Sequence, residues 1–371
     1  MNPRSLTLLL AAGILLAAAW LVMTRRPAVT SGGGHQVAAH TPAPSVTSRE
    51  HRKPRLPAPA VGMVSGASEG VPEATAPNSM ARLLNGGEAK LTPEQAATYL
   101  QQNRRSAEAL LAAARLTGDL ALVREAAEKF PNDPRVRLEL ALRGETTEER
   151  RTALDAFRKL AHDNPLGDYL SALDHFKSGR TDDGVKDLLQ VGGKNRLHDY
   201  TLDHAQSAEE AFLSAGYGAL EAKAAGAYGV LLPHIQSLRD LGNTMAELQK
   251  QYTQAGDAAS AQAVGQMGLN LAWQLEGQSG RTLLGELVGM AIEKKFLATQ
   301  SPDSPFGGNG RTVRDRLAEM DAHRQSIREL TGLTELLPRL PEREAILYFD
   351  RLKLNGELDA LQWLKNKHGN P

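Results

Sequence analysis

Hydrophobic residues along most of the chain recur at the three- and four-residue spacing of amphipathic helices. The pattern is clearest in the stretch LQKQYTQAGDAASAQAVG, where Leu248 and Tyr252 lie one turn apart on one helix face. Gly256 tolerates the left-handed conformation that ends a helix, and Asp257 can cap the next helix. Ala261 is small enough to let a second helix pack closely on the first. The stretch therefore predicts a helical hairpin.

Three further stretches carry weaker copies of this pattern, centred on Gly118, Gly179 and Gly356. No stretch shows the sustained alternation of polar and β-branched residues that a half-buried strand would give. The chain is therefore predicted to be all-α beyond its amino-terminal part. The segments that carry the hairpin pattern are residues 106–189, 244–268 and 345–364.

A glycine between paired helices, a small residue in the second helix and a proline after it form the pattern of tetratricopeptide-type repeats, which these segments resemble. The resemblance implies stacked hairpins that bury a continuous core and leave a concave surface for binding. The glycines are unevenly spaced, and no unit has the first-helix tryptophan of the family. We therefore predict an irregular, TPR-like α-solenoid or bent helical array over residues 81–371, with one repeat pair degraded between Arg196 and Val230.

Several sequences predict where helices begin. Thr92 precedes Pro93 and Gln95, an arrangement typical of a capping box with proline in the first turn. The sequences SAEE from Ser207 and TTEE from Thr146 repeat the capping-box spacing. Each is therefore predicted to start a helix.

The most apolar stretch of the carboxy-terminal part, Arg281–Gln300, covers more than one face of a helix. A second membrane span is one interpretation, but the uncharged run is too short, and glutamate and lysine residues interrupt it. We therefore predict a central helix that neighbouring hairpins bury on two sides. The loop Ser301–Gly310 follows, and helix is predicted to resume from Arg311 to about Thr331.

The amino terminus carries a different pattern, an uncharged apolar run over Leu6–Met23. As a helix this run would be about 27 Å long, close to the ~30 Å hydrocarbon core of a bilayer, with Trp20 near the headgroups. The alanines just before Trp20 make a cleaved signal peptide the alternative, which would release a secreted soluble form. The run continues past them to Arg25, so we predict a retained signal-anchor helix behind a short tail, residues 1–5.

Residues 24–80 are rich in Pro, Gly, Ser, Thr and Ala and contain no aromatic side chain. Such a segment buries too little apolar surface to offset the entropy of ordering, so we predict a disordered linker. Its basic cluster SREHRKPR is either a contact for anionic headgroups or an ordinary solvated charge run. The linker is predicted to hold the folded domain, residues 81–371, away from the membrane.

Composition narrows the classes of function. The formal net charge of +0 gives no electrostatic basis for binding nucleic acid. The chain contains no cysteine, which excludes disulfides, thiol catalysis and cysteine-bound metal. Aromatic residues make up only 5%, so the core must consist mainly of Ala, Leu and Val, as suits closely packed helices.

Two sequences contain residue types of a reactive site. HDYTLDH brings His198 and Asp199 close to Asp203 and His204, but same-face ligands on one helix need three- or four-residue spacing, so we interpret it as a polar helix start. GGNGRT, from Gly307, resembles a phosphate loop only superficially, because no strand is predicted before it and Arg replaces the required Lys. We expect no catalytic residue, no metal and no cofactor.

The best-preserved hairpin supplies the one candidate binding surface. Asn243, Lys250 and Gln254 are polar and lie off the core face of Leu248 and Tyr252. They would contact a partner if this first helix lines the concave side of the array. An ordinary solvated helix face is the alternative interpretation.

These patterns together predict a single-pass membrane protein without catalytic activity, a scaffold or adaptor that binds a protein or peptide partner through its helical-repeat surface. We expect a bacterial inner membrane location with the carboxy-terminal domain extracytoplasmic, because a very short tail before a first span commonly stays in the cytoplasm. The alternative is an enzyme or ligand receptor with a site between helices near residues 281–311.

Overall fold

The computed structural model describes residues 89–194, 196–229, 232–278, 282–307 and 310–369. Within these ranges the structure is helical, and an isolated bridge between Pro305 and Thr312 is the sole β-type pairing. The predicted all-α fold is therefore confirmed. The predicted anchor and linker lie outside the described residues. No helix in the described part combines the length and the apolar composition that crossing a bilayer requires.

The helices are short in the first half of the domain and longer in the second. The first half contains α1 (Pro93–Gln102), α2 (Ala107–Thr117), α3 (Leu120–Lys129), α4 (Pro134–Arg143), α5 (Thr147–Leu160), α6 (Leu166–Lys177) and α7 (Thr181–Gln190). The second half contains α8 (Thr201–Ser214), α9 (Ala219–Tyr228), α10 (Pro233–Gln254), α11 (Ala258–Gln278), α12 (Leu283–Leu297), α13 (Val313–Thr331), a 3-10 helix (Gly332–Arg339), α14 (Glu342–Asn355) and α15 (Glu357–His368).

A glycine ends the first helix of each predicted hairpin. Gly118, Gly179, Gly256 and Gly356 have φ angles between 72° and 98°, a region that glycine enters without steric penalty. Asp257 then caps α11 by accepting a hydrogen bond of 3.0 Å from a backbone N–H of the first turn. The predicted helix breaks are confirmed, and they produce the paired helices α2–α3, α6–α7, α10–α11 and α14–α15.

Two of the three predicted helix starts are confirmed. Thr92 caps α1 in a reciprocal capping box with Gln95, and Thr146 caps α5. The third is wrong, because Ser207 lies in the middle of α8, where its Oγ donates to a backbone carbonyl one turn earlier. Helix α8 begins upstream because Asp199 accepts a hydrogen bond of 3.0 Å from the Thr201 N–H.

The segment predicted to hold a degraded repeat pair forms a complete helical hairpin, α8–α9. The predicted central helix is confirmed as α12, which packs against α10, α11 and α13. Met290, Ile292 and Phe296 of this helix are buried in the main core. Helix also resumes after the loop, as α13, close to the predicted position.

Later helices cover the first helices of the early hairpins. Helix α8 packs against α2, and α10 packs against α6. As a result, every residue of Ala109–Ala114 in α2 and of Leu166–Leu173 in α6 is buried. In an open solenoid the equivalent helices line a free concave surface. Here the chain's own helices occupy that surface at α2 and α6.

Glycine permits close helix packing at two crossings. A Cβ at Gly226 would lie 2.8 Å from the carbonyl oxygen of Ala205, and one at Gly289 would lie 2.7 Å from that of Ala272. We expect Gly226→Ala and Gly289→Ala each to lower the free energy of unfolding by about 1–3 kcal/mol, because helix backbones must shift apart.

The matched control for these two variants is Gly277→Ala, on an exposed face of α11. No atom lies within 4 Å of a Cβ built there, so alanine should be neutral or stabilising by about 0.5–1 kcal/mol. Urea unfolding followed by far-UV circular dichroism measures all three. Equal unfolding midpoints for the three variants would contradict the close crossings.

Candidate functional site

An open depression with a cavity volume of about 630 Å³ lies where the α3–α4 turn approaches the residue before α8. Asp133 fixes the turn, because its carboxylate caps α4 by accepting a hydrogen bond of 2.9 Å from the Arg135 N–H. Two aromatic rings and two prolines supply most of the apolar wall. The lining residues are Lys129, Phe130, Pro131, Asn132, Asp133, Pro134, Arg135 and Tyr200.

Tyr200 has a left-handed backbone conformation, with φ at 59°. A non-glycine residue in this region costs about 1–2 kcal/mol, so neighbouring contacts must hold it there. Its ring packs edge-on against His198, at 4.3 Å between centroids, and against Phe157, at 6.5 Å. The side-chain amide of Asn164 donates to the His198 carbonyl at 2.7 Å and accepts from its N–H at 3.2 Å. The tyrosine is therefore fixed at the depression in one conformation.

The charged groups around the depression are paired within the protein. Arg135 donates to Asp133 at 2.6 Å and to Glu108 at 2.7 Å, and these hydrogen bonds hold the pKa of Arg135 above its ordinary value. Lys129 donates to Glu125 at 2.7 Å. Because these charges already have partners, the aromatic and proline surfaces are what the depression offers a ligand.

The predicted groove residues lie along one side of α10. Asn243 is partly buried, and its Oδ1 is a buried atom without a hydrogen-bond partner. Lys250 and Gln254 are exposed further along the helix, and Lys250 lies 3.8 Å from Glu247. These three residues therefore line no common cavity with the depression. Their role in partner binding stays a prediction.

Near residues 281–311, the predicted alternative site, the structure places two carboxyl groups against one guanidinium group. Arg316 donates to Glu293 at 2.9 and 2.6 Å and to Glu276 at 3.0 Å. Trp273 Nε1 adds a hydrogen bond of 3.2 Å to Glu293, which is fully buried. Phe306 packs against the Trp273 ring, with 6.4 Å between the ring centroids. We call these three charged residues the α11–α13 cluster.

The two carboxyl groups of this cluster differ in protonation. Burial and the nearby charge of Glu293 raise the pKa of Glu276 to about 8. Burial also opposes ionisation of Glu293, but hydrogen bonds from Arg316 and Trp273 outweigh it and lower the pKa of Glu293. One ion pair and one neutral acid therefore fill this space at pH 7.

The sequence HDYTLDH does not form a metal site. Asp199 instead pairs with His234 at 3.1 Å, both side chains being buried, and so joins the start of α8 to the start of α10. His198 lies outside the helix, and burial lowers the pKa of His204 to about 2. Asp203 lies in the first turn of α8, as predicted. Within the described residues, no group of three His, Asp or Glu side chains could hold a metal ion.

The superficial phosphate loop also has a structural role. Thr312 caps α13 in a capping box with Asp315, and Gly307 and Gly310 have positive φ angles of 68° and 72°. The element before this loop is helix α12 rather than a strand. The geometry thus lacks the strand–loop–helix arrangement that cradles phosphates.

A further polar network, absent from the sequence predictions, joins α5, α6 and α7. Arg158 donates to Asp168 at 2.9 Å and to Asp187 at 2.6 Å. Ser171 and His175 lie beside Asp187, but the Ser171 Oγ donates to the Asp187 carboxylate at 2.5 Å and is fully buried. A nucleophilic serine requires a hydrogen bond to the histidine and access to substrate, so this network is structural.

Comparison with known proteins identifies no relative of this chain. No family model, no curated protein sequence and no solved structure matches it. The resemblance to tetratricopeptide-type repeats therefore stays a prediction, supported by the paired helices and the glycine turns.

Proposed function

We propose that this protein is a membrane-anchored, non-catalytic scaffold that binds a protein or peptide partner at the depression between the α3–α4 turn and Tyr200. The observation that carries the proposal is the lining of this depression. Phe130, Tyr200 and Arg135 belong to the residue types that dominate binding energy at protein interfaces. A volume of about 630 Å³ accommodates a few side chains of a peptide.

The rigidity of the depression favours binding over catalysis. The cap at Asp133 and the clamp of Asn164 on the Tyr200 loop fix both walls before a partner arrives, which lowers the entropy cost of association. With the rim charges paired internally, the partner contributes an apolar anchor residue rather than a charged one.

The amino-terminal sequence supports the membrane part of the proposal. The uncharged run 6–23 has the length of a transmembrane helix, and its orientation places the domain outside the cytoplasm. A flexible linker over residues 24–80 would give the domain a root-mean-square reach of about 40 Å from the bilayer. A scaffold on such a linker can meet partners within a thin shell above the membrane.

Alanine substitutions at the depression test the proposal. In membranes that contain the full chain, we expect Phe130→Ala with Tyr200→Ala to reduce crosslinked capture of the partner about tenfold or more, because each removes an aromatic anchor. The control is Leu189→Ala, which changes an exposed apolar residue on α7.

Lys250→Ala is a third arm, because it tests the predicted groove on α10 independently. Loss of capture in that arm alone would move the binding surface to α10. Undiminished capture by the double variant would refute the role of the depression, provided that circular dichroism shows the native helix content.

A second candidate function, an enzyme or ligand receptor, has one observation in its favour. Glu276 has a pKa of about 8, and a carboxyl group that titrates near neutrality is suited to general acid catalysis. However, its neighbours Glu293 and Arg316 bind each other and Glu276, so the cluster satisfies itself within the helix core. We therefore prefer the scaffold.

A further inference from the structure

The outward face of α11 carries no charge along its entire length. The chain is 23% charged, yet Glu276 is the only charged residue among the 21 residues of this helix, and it turns inward to Arg316. Helix α13, of similar length, exposes Arg314 and Asp321 among other charged residues. The exposed residues of α11, which we call the α11 stripe, are Ala258, Ala259, Gln262, Ala263, Gln266, Asn270, Trp273 and Gly277.

The stripe contains side chains that can pair with copies of themselves. A Gln or Asn amide carries both donors and an acceptor, so two identical amides can exchange hydrogen bonds. Gln266 already donates to Asn270 at 3.1 Å, which aligns these amides along the helix. Trp273 is 41% exposed although its Nε1 is bonded to Glu293, and a half-exposed indole is a typical interface anchor. The alanines allow close approach of a second helix.

We infer that the α11 stripe is the contact between two copies of this chain, packed helix against helix about a two-fold axis. Near such an axis each residue faces its own copy, so a charged residue would meet a like charge. A contact with a different protein carries no such restriction, and those contacts commonly use opposite charges for specificity. The absence of charge from the whole stripe is therefore what a self-contact requires.

The size of the stripe sets the expected strength of the dimer. A helix of this length extends about 31 Å, and a contact one helix wide lies at the small end of specific interfaces. We therefore expect dissociation in the micromolar range. The inference is independent of the partner-binding proposal, because the stripe and the depression share no residue.

Cysteine crosslinking tests the contact cleanly, because the natural chain contains no cysteine. Gln262→Cys, Gln266→Cys and Asn270→Cys would each be introduced alone into the full chain, with Gln236→Cys on the exposed side of α10 as control. A short bis-maleimide reagent should give covalent dimers from at least one stripe position and none from the control. Equal crosslinking at stripe and control, or none at any stripe position, would overturn the inference.

A charge exchange provides the second test. Asn270→Lys or Asn270→Glu should each weaken the dimer at least tenfold, while a mixture of the two variants should recover it as a heterodimer. The same pair of substitutions at Gln236 should change nothing. Sedimentation at 1–100 µM-scale loading measures the dimer, and circular dichroism confirms that each variant is folded. Single-charge variants that dimerise as the natural chain does would also overturn the inference.

Discussion

Arg316→Met should lower the free energy of unfolding by about 3–5 kcal/mol at pH 8, because it leaves buried carboxyl groups without their cation. Arg316 alone neutralises Glu293, which is fully buried, and it also donates to Glu276. The matched control is Arg314→Met, two residues away. Arg314 pairs at 2.8 Å with Asp303 on the surface, so its loss should cost less than about 1 kcal/mol.

The pH dependence of this effect has a defined direction. Without the cation, both carboxyl groups must be protonated in the folded state, and protonation is easier at low pH. The cost of Arg316→Met should therefore be smaller at pH 5 than at pH 8. Urea unfolding at the two pH values measures the difference. A cost that is equal for Arg316→Met and Arg314→Met, or that grows on acidification, would contradict the α11–α13 cluster.

Glu276→Gln completes this test with a variant that mimics the protonated acid. The folded-state pKa of Glu276 is raised from 4.5 to about 8, so the folded protein holds a proton that the unfolded chain releases above pH 4.5. The stability contribution of this group is thus present at low pH and declines as pH rises from about 4.5 to 8. Glu276→Gln should remove that decline and be more stable than the natural chain at pH 9.

Arg158→Met should produce the second large loss, also about 3–5 kcal/mol, because Arg158 holds two buried aspartates on two different helices. Its guanidinium joins Asp168 of α6 and Asp187 of α7 to α5. Each aspartate keeps one other partner, since Lys194 contacts Asp168 and Ser171 contacts Asp187. The remaining contacts do not connect α5 to α6 and α7, so this variant should loosen the middle of the array.

Arg151→Met is the control for this prediction, because Arg151 lies two turns earlier on α5. Its partners Asp155 and Asp174 are partly exposed, at 3.0 and 3.2 Å, so we expect a loss below about 1 kcal/mol. Hydrogen exchange of α5–α7 amides gives a second measurement. Unchanged exchange in Arg158→Met would show that the network does not hold these helices together.

The sequence predicts local features of this fold well, because the signals are local. A glycine followed by a capping residue specifies a helix break without reference to the rest of the chain, as at Gly118 and Gly256. Capping-box spacing is weaker, since it cannot show whether a helix has already begun. Ser207 has the spacing, but Asp199 had already capped α8 upstream.

Long-range packing was not predictable from these patterns. Arg316 lies 40 residues from Glu276, and nothing in the local sequence of either residue indicates the other. The same holds for the depression, whose walls come from the α3–α4 turn and from Tyr200. A left-handed conformation at a tyrosine has no sequence signal, because the surrounding packing imposes it.

Site-specific photocrosslinking in native membranes tests the central claim most directly. A benzophenone side chain would replace Phe130 at the depression in the full chain, and Leu189 on α7 in a control chain. The scaffold proposal predicts recovery of both chains in the membrane fraction and one discrete protein adduct from position 130 that position 189 does not give. An absence of adducts from position 130, or the same adducts from both positions, would contradict it.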